Sequence, residues 1–260
     1  MLPPKAVELS DNYANFLVQP RPGGSGTCLT CHSTADRSYE RCYPCHDGRG
    51  TRGALLADVV VPISLAAKQG QLATARWKYK SDVVGQRYFF MGLGAVLFRF
   101  LDRHESCIAR AAGTTGFDVV TVVPSTKREP AEQPLRDLVR NLVTSVQSRY
   151  ADVLRSTGAA DGRALDPNRY VADAEVAGRS VLLIDDTWTA GGHAQSAAWA
   201  LKEAGATTVG VAVIGRHFDP GFRNNASYLT GVRAQRFSWE TCCVHQDAAA
   251  TDGTMPAMLF

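Results

Sequence analysis

Four consecutive aliphatic residues, Val181 to Ile184, stand between Ser180 and the acidic pair Asp185-Asp186. A run without alternation has no polar face, so it predicts a strand buried on both sides, as in a parallel sheet. Small and glycine-rich residues follow from Thr189 to His193. Ala194 to Ala204, alanine-rich with Trp199, Leu201 and Lys202, then predicts a helix that stops at Gly205. Thr208 to Ile214 resumes as strand, which makes the whole a β-α-β unit. Phe117 to Val123 reads as a second buried strand and ends in the polar loop Pro124 to Glu129.

Asp58 to Ala66 mixes a short β-branched strand with a turn, and Gln71 to Lys80 reads as helix, with Lys78 and Lys80 as a solvated basic end. Gln86 to Arg110 is a long helix. Its Phe89, Phe90, Leu93, Val96, Leu97, Phe100 and Leu101 recur at helical spacing and predict core contacts. Further on, Glu132 to Leu154 reads as helix and Gly158 to Pro167 as a mobile connection of turn formers. Arg216 to Asn225 reads as loop, Arg236 to Val244 as a short edge strand, and Asp247 to Met255 as a frayed terminus.

The two polar loops fall at one end of the sheet. In open α/β sheets ligands bind beyond the carboxyl ends of the strands, where a helix N-terminus offers free N–H groups to phosphate. Asp185 and Asp186, with Thr187 beside them, can accept hydrogen bonds from vicinal hydroxyls of a ribose. Thr189, Ala190, Gly191, Gly192 and His193 can wrap a terminal phosphate, the glycines letting the backbone come close. Ser125, Lys127 and Arg128 form a cluster suited to a pyrophosphate, with Mg2+ neutralising the remaining charge. An ordinary strand-to-helix turn also favours Asp and Gly, but it does not require the whole loop.

The chain has 260 residues, 45% of them hydrophobic, and a net charge of +3, which fits one main globular domain with a small appendage. So mild a charge gives no reason to expect a dedicated nucleic-acid surface. No apolar run is long enough to cross a bilayer and no signal peptide is evident, so the expected compartment is the cytoplasm. Seven cysteines in a reducing compartment point to metal ligands or buried thiols. Cys28-x-x-Cys31 and Cys42-x-x-Cys45 are two knuckles able to supply four thiolates to one tetrahedral zinc. Both run on into His32 and His46, which also spells the c-type haem attachment pattern, or lets a histidine replace one thiolate. Haem attachment needs export, for which the N-terminus carries no signal, so structural Zn2+ is the expectation. Cys107, Cys242 and Cys243 lack such spacing and read as buried small hydrophobes.

The acidic pair and its loop resemble the binding loop for 5-phosphoribosyl 1-pyrophosphate (PRPP) in type I phosphoribosyltransferases. Ala190 stands where that pattern has Thr or Ser, His193 where it has Thr, and Trp188 at a variable place. Adding the four-cysteine knuckle, the Lys78-Tyr79-Lys80 run and the strand ending in Val-Pro-Ser-x-Lys-Arg, residues 28 to 215 resemble the competence protein F group. The resemblance implies an α/β, type I phosphoribosyltransferase-like parallel sheet flanked by helices (55–260), preceded by a small four-cysteine zinc-binding module (1–54). It also implies PRPP-Mg binding and transfer of ribose 5-phosphate to a nitrogen acceptor. Asp185, Asp186 and Lys127 would be the catalytic residues, with Asp186 the candidate base. The family's Arg-Gly-Phe-Asn-Gln segment is absent, so the acceptor is not implied. The other reading is a PRPP-binding adaptor or sensor that engages nucleic acid or protein through the zinc module. An oligomer is compatible with either, and a membrane partner with neither. No Gly-x-Gly-x-x-Gly, Gly-x-Ser-x-Gly or phosphate-loop Lys-Ser/Thr pair supports a dehydrogenase or hydrolase.

Overall fold

A computed structural model describes residues 3–47, 55–81, 83–159 and 162–244. The strand predicted from Val181 is one of the two inner strands of a four-stranded parallel sheet. β1 (Val59–Ala67), β2 (Val119–Val122), β5 (Ser180–Trp188) and β6 (Thr208–Phe218) stand in the order β1-β6-β5-β2. Alternate residues of each strand enter opposite cores, the two-residue period of a pleated sheet. Val181, Leu183, Val209, Val211 and Val213 face one layer, and Leu182, Ile184, Ala212 and Ile214 the other.

The second layer contains α1 (Pro4–Ala14), α3 (Gln71–Lys78), α4 (Gln86–Ala111) and α5 (Pro134–Leu142). The first contains α6 (Gly192–Glu203), a two-stranded antiparallel pair of β3 (Leu154–Ser156) and β4 (Tyr170–Ala172), and the cysteine knuckles with α2 (Tyr43–Asp47). Cys28, Cys31 and Cys45 share their core with Val60 of β1 and Trp188 of β5. The knuckles therefore pack on the sheet itself.

Several expectations change. The Glu132–Leu154 helix breaks at Val143 (φ −97°, ψ 73°) into α5 and a 3₁₀ turn at Thr144–Arg149. Val143, Thr144 and Val146 weaken helix by their branching, and the exposed edge of β2 captures the chain beyond through a bond from Ala151 N to Val120 O (2.9 Å). β6 runs on to Phe218 because β1 pairs with it as far as Ala67, so 216–218 is strand and not loop. Asn225–Arg233 is α7, and Pro4–Ala14 is a helix that the scattered polar pattern does not announce. Residues 236–244 form no strand. The outer edge of β1 is taken at Val18, whose carbonyl accepts from Leu65 N (2.9 Å) and whose N–H reaches Ser64 Oγ (2.8 Å). Residues 48–54, 160–161 and 247–255 of the expected linkers and terminus lie outside the described residues.

α1 docks on α4 at a glycine. A methyl group built on Gly92 lies 2.3 Å from Cε2 of Tyr13, a ring that is itself buried in the core. Alanine at an open helix position gains up to about 1 kcal/mol over glycine, whereas overpacking costs about 1–3 kcal/mol. The second effect wins here. Gly92→Ala is expected to lower the unfolding free energy by about 1–2 kcal/mol in urea titration, and an increase would show that Tyr13 moves aside freely.

Candidate functional site

β5 carries both acids of the pair inside the strand. Asp185 and Asp186 are 8% and 3% exposed, and unpaired charges at such depth are costly. α3 and the two residues after it supply the compensation: Tyr79 Oη donates to Asp186, Lys80 Nζ pairs with the same carboxylate, and Arg76 spans the strand ends. Arg76 Nη1 donates to Asp186 O (3.2 Å), Thr187 Oγ1 (2.5 Å) and Gly215 O (3.2 Å). Lys80, its side chain 38% exposed, thus reaches from the surface to a buried carboxylate and is not a free solvated helix end.

The two acids separate electrostatically. Burial, then the neighbouring Asp186 charge, pushes Asp185 up to about 7. Burial also raises Asp186, but Lys80, Tyr79 and Arg76 together outweigh it and hold this carboxyl below its ordinary value. Burial and the Asp186 charge push Tyr79 well above the usual phenol range, so it stays a proton donor.

One cleft of about 320 Å³ lies over this strand end. Asp185, Asp186, Thr187 and Thr189 to His193 form one wall, and Ser125, Lys127 and Arg128 face them from the end of β2. Every residue expected at the site from both loops lines it. Tyr79, Lys80, Gln133 and Arg163 line it too, and four of the bordering residues, Lys80, Lys127, Arg128 and Arg163, are cationic. Gln133 shapes the β2 loop, accepting from Ser125 N (2.8 Å) and donating to Glu129 O (3.1 Å). Arg128 binds the Lys80 carbonyl and so ties that loop to α3. The Tyr170 hydroxyl joins Pro124 O (3.1 Å) to His193 Nδ1 (2.9 Å). Burial, then the Arg169 charge, lowers the His193 pKa, which leaves the ring neutral at pH 7.

The glycines have a reason other than ligand access. Gly191 has φ +87°, and a methyl group there would sit 2.2 Å from the Trp188 ring. One on Gly192 would sit 2.0 Å from Arg163 O. Asp166 N also bonds Ser196 Oγ (2.9 Å). The described part of the 158–167 connection is therefore anchored to α6, which the local turn chemistry does not reveal.

On the same face of the sheet the Sγ atoms of Cys28, Cys31, Cys42 and Cys45 lie within 4.8 Å of one another. Thr30 N (3.4 Å) and Cys31 N (3.5 Å) donate to Cys28 Sγ. His32 turns away, its Nδ1 bonded to Arg21 O (3.0 Å), and His46 is exposed. Four converging thiols are the donor set of a structural zinc site. Hydrogen bonds with the other three thiols, and the Arg216 guanidinium, hold Cys31 well below the usual thiol range. Arg216, on β6, also donates to Trp188 O (3.2 Å), so it connects the four-thiol cluster to the end of β5. No helix among the described residues is long and apolar enough to cross a membrane.

No protein-family model and no curated protein matches the chain.

Two outcomes are expected. Asp185 is raised in the folded chain, so its contribution to stability is complete below its unfolded value of about 3.9 and is lost as pH rises through the folded value of about 7. The stability of Asp185→Asn relative to the parent should therefore climb between these values, by up to about 4 kcal/mol, and level off above them. A difference independent of pH would contradict the raised acid. Cys45→Ser should lose one bound zinc per chain relative to the parent and melt about 5–10 °C lower. An unchanged zinc content would remove the four-cysteine centre.

Proposed function

We propose that this chain is a type I phosphoribosyltransferase-like protein that binds PRPP with Mg2+ and transfers ribose 5-phosphate to a nitrogen nucleophile. The observation that carries the reading is the convergence of the acidic C-terminal end of β5 and the basic loop after β2 on one cleft, which Lys80 and Arg163 also line. Acceptors for ribose hydroxyls and cations for phosphates stand opposite each other, as a phosphorylated sugar with a charged leaving group requires. The N-terminus of α6 adds backbone donors for the 5-phosphate.

In the reaction the C1–O bond to pyrophosphate breaks and a bond from the acceptor nitrogen to C1 forms. Lys127, with Mg2+ as counter-charge, holds the departing pyrophosphate. Asp186 is already committed to Lys80 and Tyr79, so its work is positioning. Asp185, with a value of about 7, is the better candidate to take the acceptor's proton, a revision of the assignment to Asp186. Burial and the Arg169 charge, which lower the His193 pKa, make this ring a weaker source of positive charge for the phosphate.

Calorimetric titration of the zinc-loaded protein with PRPP and Mg2+ should give binding. Asp185→Asn/Asp186→Asn and Lys80→Ala should each weaken it at least tenfold. No heat from the parent would end the PRPP reading. Ala190 and the neutral His193 favour an adaptor that binds without turnover, and binding with no pyrophosphate released across an acceptor screen would select it.

A further inference from the structure

A second constellation of ligand atoms lies on the far side of the sheet. α4 carries His104 and Cys107 three residues apart, which places them on one helix face. The segment after α7 crosses that face. It is held by Arg99 over the Trp239 ring (4.6 Å), by the Arg103–Glu240 pair and by Gln19 Nε2 donating to Thr241 O (3.1 Å). These contacts bring Cys242 to the same place. One ligand atom from each of His104, Cys107 and Cys242 lies within 4.8 Å of the others, and all three residues are buried.

The imidazole is oriented as a ligand. Its Nε2 lies 2.9 Å from Trp239 O, and a carbonyl has no proton to give, so Nε2 carries the hydrogen. In the neutral ring Nδ1 then presents its lone pair, and it lies 3.9 Å from Cys107 Sγ. A backbone carbonyl fixing the distal nitrogen is the usual outer-shell support of a metal-bound histidine. Ligand atoms about 2.0–2.3 Å from a tetrahedral zinc stand about 3.5–3.8 Å apart, close to the separation seen here.

We propose that His104 Nδ1, Cys107 Sγ and Cys242 Sγ form a second Zn2+ site, distinct from the four-cysteine centre, that clamps the C-terminal segment onto α4. Two thiolates and one imidazole select a borderline-soft cation over Mg2+ or Ca2+. The site is independent of the cleft, so its failure would leave the PRPP reading untouched.

Full-length protein produced with zinc and freed of loose metal should contain two equivalents per chain by elemental analysis. Cys107→Ser and Cys242→Ser should each contain one, with PRPP titration unchanged from the parent. One equivalent in the parent, or two retained in both variants, would overturn the site. Should either variant fail to fold, cadmium NMR of the substituted parent decides. Two resonances, one from four sulfurs and one from a mixed nitrogen and sulfur set, support the site, and a single resonance overturns it.

Discussion

The architecture depends on keeping two adjacent carboxylates inside a central parallel strand. Neither acid can be moved outward without slipping β5 against β2 and β6, which would turn its aliphatic residues to the wrong layers. The charges have to be answered where they stand. Arg76 within α3, and Tyr79 and Lys80 just past its end, answer them, so α3 is fixed on the strand end by electrostatics as well as by Leu72 and Ala75. Unequal compensation separates the pair: Asp186 takes the cation and the phenol, while Asp185 keeps its burial and little else. Two residues of the same type then have two chemistries.

The cleft rests on contacts made behind it. Trp188 is buried beneath Gly191, and the backbone at Arg163 lies against Gly192, so the turn into α6 is shaped by the protein's own packing. Arg216 continues this support to the thiols, and the four-cysteine cluster braces the end of β5 from the opposite side to α3. A disturbance of the thiols would be felt in the loop through Trp188, since Cys28, Cys31 and Cys45 share its core. The knuckles are in this sense part of the sheet's packing and not a bead attached to it.

Local pattern was a good guide wherever burial was two-sided. The strands at 117–123, 181–184 and 208–214, the long α4, the α6 helix and the convergence of both loops were readable because continuous aliphatic runs and helical spacing admit few other structures. Elements whose form is decided by a distant partner were not readable. The antiparallel pair of β3 and β4, the break at Val143 and the extension of β6 along β1 all follow from which edge was available. Arg76 and Gln133 gave no signal, since their roles exist only once α3 and the β2 loop are brought to the strand end. Lys80 was visible as part of a Lys-Tyr-Lys run, but its partner was not.

The sequence by itself determined the parallel α/β class, the two loops at one sheet edge and the four-thiol metal set. Each is encoded within a short window, by an unbroken hydrophobic run, a loop chemistry or a Cys-x-x-Cys spacing. Only the tertiary structure decided which carboxylate is compensated, why the glycines are needed, and that His104, Cys107 and Cys242 meet. Those outcomes depend on contacts between residues far apart in sequence, such as His104 with Trp239, 135 positions away. Composition and spacing carry no information about such pairs, because the energies that select them arise only when packing removes both partners from water.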